Sequence, residues 1–160
     1  MTNTLPPVLG GVAPYLGVSN AGKAADFYAK ALAATEVLRM PPDEKGRYMH
    51  IHLLVNGGSL MLADAFPDHG HPLETHGGYT LHLQVDDADA WWKRAVEAGA
   101  EPLMAVTDMF WGDRYGRVLD PYGHDWAIAS HKRDVTMDEA MQAMQEWDGE
   151  GCASGTDRSV

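Results

Sequence analysis

Apolar and polar positions alternate in two stretches, one opening each half of the chain. Tyr15-Leu-Gly-Val18 reads as a short strand. Thr80-Leu-His-Leu-Gln-Val85 sets Leu81, Leu83 and Val85 on one face and Thr80, His82 and Gln84 on the other. Each stretch is followed by a helix-rich segment carrying an aromatic pair. Residues 20–34 hold Phe27-Tyr28 behind Asn20 as N-cap; residues 87–98 hold Trp91-Trp92, begin at Asp87 and stop at Gly99. More strands come next, then a glycine turn into a closing strand: Gly57-Gly58 to Asp64, and Gly123 to Ser130. Tyr15–Asp64 and Tyr79–Ser130 are thus copies of one plan, and duplication at this period predicts a two-module fold with its ligand between the concave sheets of the halves.

The same alternation assigns faces. Met49 to Val55 puts Ile51, Leu53 and Val55 on one side and His50, His52 and Leu54 on the other. Helices need an apolar surface, so the aliphatic faces take them, and the opposite faces are left to line a cleft. Parity adds Tyr15, Met61, Asp125 and Ala127 to that second set and gives Trp126 to the helix-facing core. Residues 65–78 hold Pro67, Gly70, Pro72, Gly77 and Gly78, which is linker chemistry. Thr136-Met-Asp-Glu139 is a capping box opening a C-terminal helix over 134–148. Its stripe of Met137, Met141, Met144 and Trp147 is expected to dock on its own domain, with a lid or dimer contact as the alternative. A disordered tail is expected over 149–160.

Composition narrows the class. With 160 residues, 45% of them hydrophobic, the chain is expected to form one compact domain with a full core. It has no apolar run near the roughly 18 residues of a membrane span and no basic-then-apolar leader, so no membrane partner is expected. A net charge of −11 argues against nucleic acid and anionic membranes as partners. The single cysteine, Cys152, allows no intrachain disulfide, and the expected location is cytoplasmic.

Five stretches carry a family likeness: Pro14-Tyr-Leu-Gly-Val18 with Phe27-Tyr28, Leu60-Met-Leu-Ala-Asp64, Leu81-His-Leu-Gln-Val-Asp-Asp87, Ala95-Val-Glu-Ala-Gly-Ala100, and Phe110-Trp-Gly-Asp-Arg-Tyr-Gly-Arg-Val-Leu-Asp-Pro-Tyr-Gly-His-Asp-Trp126. Over residues 12–132 the chain resembles the PhnB-like branch of the glyoxalase/bleomycin-resistance, or vicinal oxygen chelate, superfamily. The resemblance implies an α+β fold in which two βαβββ modules, about 12–64 and 79–131, form a half-open barrel around a ligand cleft. It also implies a homodimer. Members include metal-dependent lyases, isomerases and ring-cleaving dioxygenases, as well as proteins that bind antibiotics without catalysis.

Metal-dependent members place their ligands where this chain has Ala13, Met61, Thr80 and Ala127. None is a histidine or carboxylate, the donors a borderline or hard divalent ion needs, so no metal and no other cofactor is expected there. His50, His52 and His82 share the cleft faces, either as an unorthodox metal site or as hydrogen-bonding groups of a polar pocket. His69, His71 and His76, with Asp68 and Glu74, form a second cluster in the linker, expected to be solvated. Trp111 and Tyr115 can stack on a planar ligand, and Arg114 or Arg117 can grip a carboxylate or phosphate. Alternatively Arg114 pairs with Asp113 or Asp120 and pins its loop.

No nucleophile elbow, phosphate loop or methyl-donor site is visible, so the methyltransferase label attached to relatives of this branch finds no support. The expected function is metal-independent binding of a small organic molecule by Tyr15, His50, His52, Met61, Thr80, His82, Trp111, Arg114, Tyr115 and Asp125. The alternative is a lyase or isomerase with His82 as general base. A blander reading makes it a regulatory domain whose partner is another protein.

Overall fold

A computed structural model describes residues 4–147. The expected tail at 149–160, Cys152 and the last residue of the expected C-terminal helix lie outside the described residues. The chain divides between His76 and Gly77 into two compact units.

In the first unit, β1 (Tyr15–Val18), α1 (Ala21–Ala31), β2 (Thr35–Arg39), β3 (Ile51–Val55) and β4 (Gly58–Asp64) follow one another. They build a four-stranded sheet of order β1-β4-β3-β2, in which only β1 and β4 run parallel. Asn20 caps α1 by accepting from Lys23 N at 2.9 Å. The helix stops three residues earlier than its composition suggests. Leu32 closes it onto the Tyr28 carbonyl, and Ala33 takes φ 49°, which turns the chain out into β2. Its alanine-rich face and Tyr28 are fully buried, and so are Leu16, Val18, Ile51, Leu53 and Leu62, the aliphatic face of the sheet. Small helix residues let the helix lie close on large strand residues, which is how a short module fills its core.

The second unit repeats the plan with β5 (Leu81–Gln84), α2 (Ala88–Glu97), β6 (Glu101–Asp108), β7 (Asp113–Leu119) and β8 (Asp125–His131), in the sheet order β5-β8-β7-β6. Asp87 caps α2 through Ala90 N at 3.1 Å, and Gly99, at φ 117°, lets the chain leave it. Corresponding side chains tie each helix start to its closing strand: Asp64 Oδ1 accepts from Ala21 N at 2.9 Å, and Ser130 Oγ accepts from Ala88 N at 3.3 Å. Two βαβββ modules of an α+β fold, followed by a C-terminal helix, are therefore the architecture.

Two stretches differ from expectation. The segment after β4 is not loose. Phe66 and His71 pair as an isolated antiparallel bridge, a 3-10 turn spans Pro67–His69, and Gly70 closes it at φ 79°. Arg47 grips Asp68 with both terminal nitrogens, at 2.6 and 3.1 Å, while its guanidinium lies 4.4 Å from the Phe66 ring centre. His76 Nε2 lies 2.9 Å from the Gly17 carbonyl, so that imidazole is tied down rather than solvated. The second difference is α3 (Met137–Glu146). Its capping box forms at Thr136 and Glu139 as expected, but residues 132–136 are not helical. Its stripe does not dock: Met137, Met141 and Met144 are 75%, 50% and 56% exposed. Ala140 and Ala143 are its half-buried positions, and Trp147 meets Phe110 at 5.9 Å between ring centres. Among the described residues, no helix is long and apolar enough to cross a membrane.

Candidate ligand site

The face of the first sheet opposite α1 carries a row set by strand register. Tyr15 on β1 stands beside Met61 on β4, which stands beside His52 on β3. His50 lies two residues before His52 and therefore on the same side. Tyr15 Oη lies 2.7 Å from His50 Nδ1 and 3.0 Å from the Met49 carbonyl, and the two rings are 5.5 Å apart. Partial burial pushes the Tyr15 phenol above its usual 10.0. His52 is 1% exposed, and its Nε2 lies 2.7 Å from Ser59 Oγ, which also accepts from Leu9 N at 2.8 Å. Burial, and then the neighbouring His50, push His52 below its usual 6.5. It is thus a neutral, satisfied imidazole under the surface row rather than a ligand-facing group.

Beside Tyr15 the same unit forms a recess of about 500 Å³. Gly17 and Ala63, paired in register, make its floor, and the absence of larger side chains there is what leaves the space. Tyr15 and Met49 form one wall. Phe66, His69, His71, Pro72 and Leu73 from the pinned segment form another. Asp64 also borders it, with both oxygens engaged by Ala21 N and by Tyr48 N at 2.7 Å. The recess is mainly apolar with two imidazoles, His69 and His71, in its lining, a composition suited to a small organic molecule.

The second sheet carries an equivalent row. His82, Ala127 and Arg117 are neighbours in register, as Tyr15, Met61 and His52 are in the first. Asp125 precedes Ala127 by two residues as Ser59 precedes Met61, and Tyr115 precedes Arg117 as His50 precedes His52. The two buried-side pairs therefore correspond: His52 with Ser59, and Arg117 with Asp125, whose ion pair uses Nε at 3.2 Å and a closer Nη2 contact. His82 is exposed and bonds through Nε2 to Gln84 Oε1 at 2.9 Å. Tyr115 lies between two rings, 6.2 Å from His82 and 5.5 Å edge-on from Trp111.

Arg114 is not on this face. With Gly116 and Val118 it points to the α2 side, where Nε and Nη2 reach Asp89 at 2.7 and 2.8 Å and Nη1 reaches Asp108 at 2.9 Å. Its donors are spent on carboxylates other than the expected Asp113 and Asp120. Asp120 is instead the centre of its own turn, accepting from Tyr122 N at 2.8 Å, His124 N at 3.0 Å and Trp126 Nε1 at 2.9 Å. Thr80 is exposed ahead of β5, and Trp126 is in the core at 4% exposure. The expected set is thus divided: Tyr15, His50, Met61 and His52 share one face; His82, Tyr115 and Asp125 share another; Arg114 belongs to neither. The walls from Phe66 to Leu73 went unrecognised because a Pro/Gly-rich run resembles a linker. The Arg47–Asp68 pair that orders it spans 21 residues and leaves no local signal.

The side chains do not fit the metal of metal-dependent members. Ala13, Met61, Thr80 and Ala127 offer two methyl groups, a thioether and a hydroxyl where imidazole or carboxylate is needed. Among the described residues no three His, Cys, Asp or Glu side chains are grouped to hold a metal ion.

The duplicated βαβββ topology, with each closing strand returning parallel to the first, defines a glyoxalase-type fold. Residues 9–128 match the Glyoxalase/Bleomycin resistance protein/Dioxygenase superfamily, and the chain belongs to that family. An uncharacterised protein of Mycobacterium tuberculosis H37Rv is 44% identical over 140 residues, covering 83% of this chain and 81% of its own length. Among solved structures, a glyoxalase-related enzyme from Fulvimarina pelagi is 27% identical with a TM-score of 0.61, covering 77% of this chain and 89% of that one. A PhnB protein from Bacillus cereus, described as a putative 3-demethylubiquinone-9 3-methyltransferase, shares the fold at 18% identity and TM-score 0.59, covering 76% and 99%.

Proposed function

We propose that this protein binds an uncharged, largely apolar small molecule in the recess of its first module, without a metal ion. The observation that carries this is the recess itself: about 500 Å³ over a Gly17–Ala63 floor, walled by Tyr15, Met49, Phe66 and Leu73. That volume lies within the range of small-ligand sites, in which a few polar groups orient the ligand. A thermal-shift screen of uncharged aromatic compounds, followed by calorimetry, tests it. Ala63→Leu fills the floor from the free face of the sheet and should weaken any hit by about tenfold or more while the fold persists. Equal binding in the variant rejects the recess. Metal independence is tested by elemental analysis of tag-free protein after incubation with divalent ions and desalting; close to one retained ion per chain would overturn it.

A second reading, a lyase or isomerase, is favoured by one contact. With Nε2–H donating to Gln84 Oε1, His82 keeps its lone pair on Nδ1, as a general base requires. His82→Ala should then abolish turnover with an unchanged melting profile; retained turnover removes it.

A further inference from the structure

Between α3 and the turn that joins β6 to β7, the second unit forms a groove of about 530 Å³. Met109 and Phe110 line it from the turn; Ala143, Glu146 and Trp147 line it from the helix. Those three stand at i, i+3 and i+4, so they share one face of α3, and half-buried Ala143 marks that face as the one turned to the body. The rings of Phe110 and Trp147 approach to 5.9 Å.

Three charged residues border the groove, and two of them are engaged. Asp108 accepts from Arg114 Nη1 at 2.9 Å through one oxygen and from Lys132 Nζ at 2.6 Å through the other. Arg133 donates from Nη1 to the Asp134 carbonyl at 3.3 Å. Its charge also reaches Glu139 on α3, whose carboxyl is held below its usual 4.5 first by hydrogen bonds from Thr136 and then by Arg133. Glu146 differs. Among the described residues nothing pairs with its carboxylate, and α3 contains no Lys or Arg. It lies in the last turn, where the helix already presents the negative end of its dipole, so that end of the groove lacks a cation. The aromatic rings beside it attract cations through their faces, and the net charge of −11 draws them from a distance.

We propose that this groove binds an organic cation, an ammonium bearing N–H on an apolar or aromatic body, with Glu146 accepting from the ammonium and Phe110 and Trp147 packing against the rest. The groove belongs to the second unit, and the inference does not depend on the recess of the first.

The test titrates the whole chain with three probes of matched shape: 2-phenylethylammonium, uncharged 2-phenylethanol and anionic phenylacetate. NMR follows the Met109 and Ala143 methyl signals and the Trp147 indole N–H, while the Met49 methyl reports on the first recess. The ammonium should move the groove signals and bind at least about tenfold more tightly than the alcohol. Glu146→Gln, at an exposed position, should remove that advantage while leaving the binding of the alcohol and the melting temperature unchanged. Equal binding of ammonium and alcohol overturns the proposal, as does an ammonium affinity indifferent to Glu146→Gln. Tightest binding by phenylacetate overturns it in favour of Arg133 reading an anion. Groove signals unmoved by the ammonium overturn it too, whatever the Met49 methyl does.

Discussion

Single residues explain why the dense motif between Trp111 and Trp126 is built as it is, and the explanation is mostly structural. A Cβ on Gly112, at φ 99°, would stand 2.2 Å from the Arg133 carbonyl oxygen. One on Gly116 would stand 2.8 Å from Val106 Cγ2 and 2.9 Å from Trp92 Cδ1. Gly116→Ala should therefore cost about 1–3 kcal/mol, read as a lowered midpoint in urea, and Gly112→Ala should cost more because the obstacle is main chain. Asp120→Ala strands Tyr122 N, His124 N and Trp126 Nε1 at a buried site and should cost about 3 kcal/mol or more. His52 gives a pH signature. Its pKa is depressed on folding, so the unfolded chain binds the extra proton. The stability it supports is present above the usual 6.5 and is lost as pH falls below it. Replacing it with Gln, which keeps a partner for Ser59, should flatten the fall in melting temperature between about pH 7.5 and 5 relative to the unaltered protein. His131, raised by Asp113 and Asp134, works in the opposite sense and remains in both proteins.

At the scale of elements, alternation gave the strands and their faces because a two-residue period is a local property. Asn20, Asp87 and Thr136 announced the helix starts for the same reason. Tyr15, His50, His52 and Met61 could be grouped on one face from parity alone. What parity could not supply was depth. His52 is sunk onto Ser59, which in turn accepts from Leu9, whereas His50 stays near the surface, and that difference depends on contacts that span seven and 50 residues. Parity also separated Arg114 from Tyr115, but the stacking and gripping roles read from their motif joined them. The pinned segment after β4 is the element whose order matters most to the proposed function. Arg47→Met removes both contacts to Asp68 and the contact with Phe66. Faster amide exchange over residues 66–71 and weaker ligand binding are expected, with little change in the global melting temperature. Unchanged exchange would mean that the Phe66–His71 bridge suffices alone.

Across the whole molecule, duplication was the most legible feature, because it needs only the order of elements and the placing of glycine turns. Family membership followed from it together with the motifs of the second module. The C-terminal stripe misled, since amphipathic spacing reports what a helix could cover and not whether a surface is there to receive it. A chain ending at Arg133 should accordingly keep the melting temperature of the full protein to within a few degrees, which calorimetry would show. A large fall would mean that Trp147 against Phe110 matters more than its single ring contact suggests. The parallel pairing of β1 with β4 has a consequence in time. During synthesis β1 leaves the ribosome some forty residues before its sheet neighbour β4, so the leading strand waits for Gly58–Asp64 before its sheet can close. Each sheet draws every strand from its own half. The leading half can therefore complete its strand pairing while the trailing half is still being translated, an order of events that favours pairing within each half over exchange between two near-copies of one sequence plan.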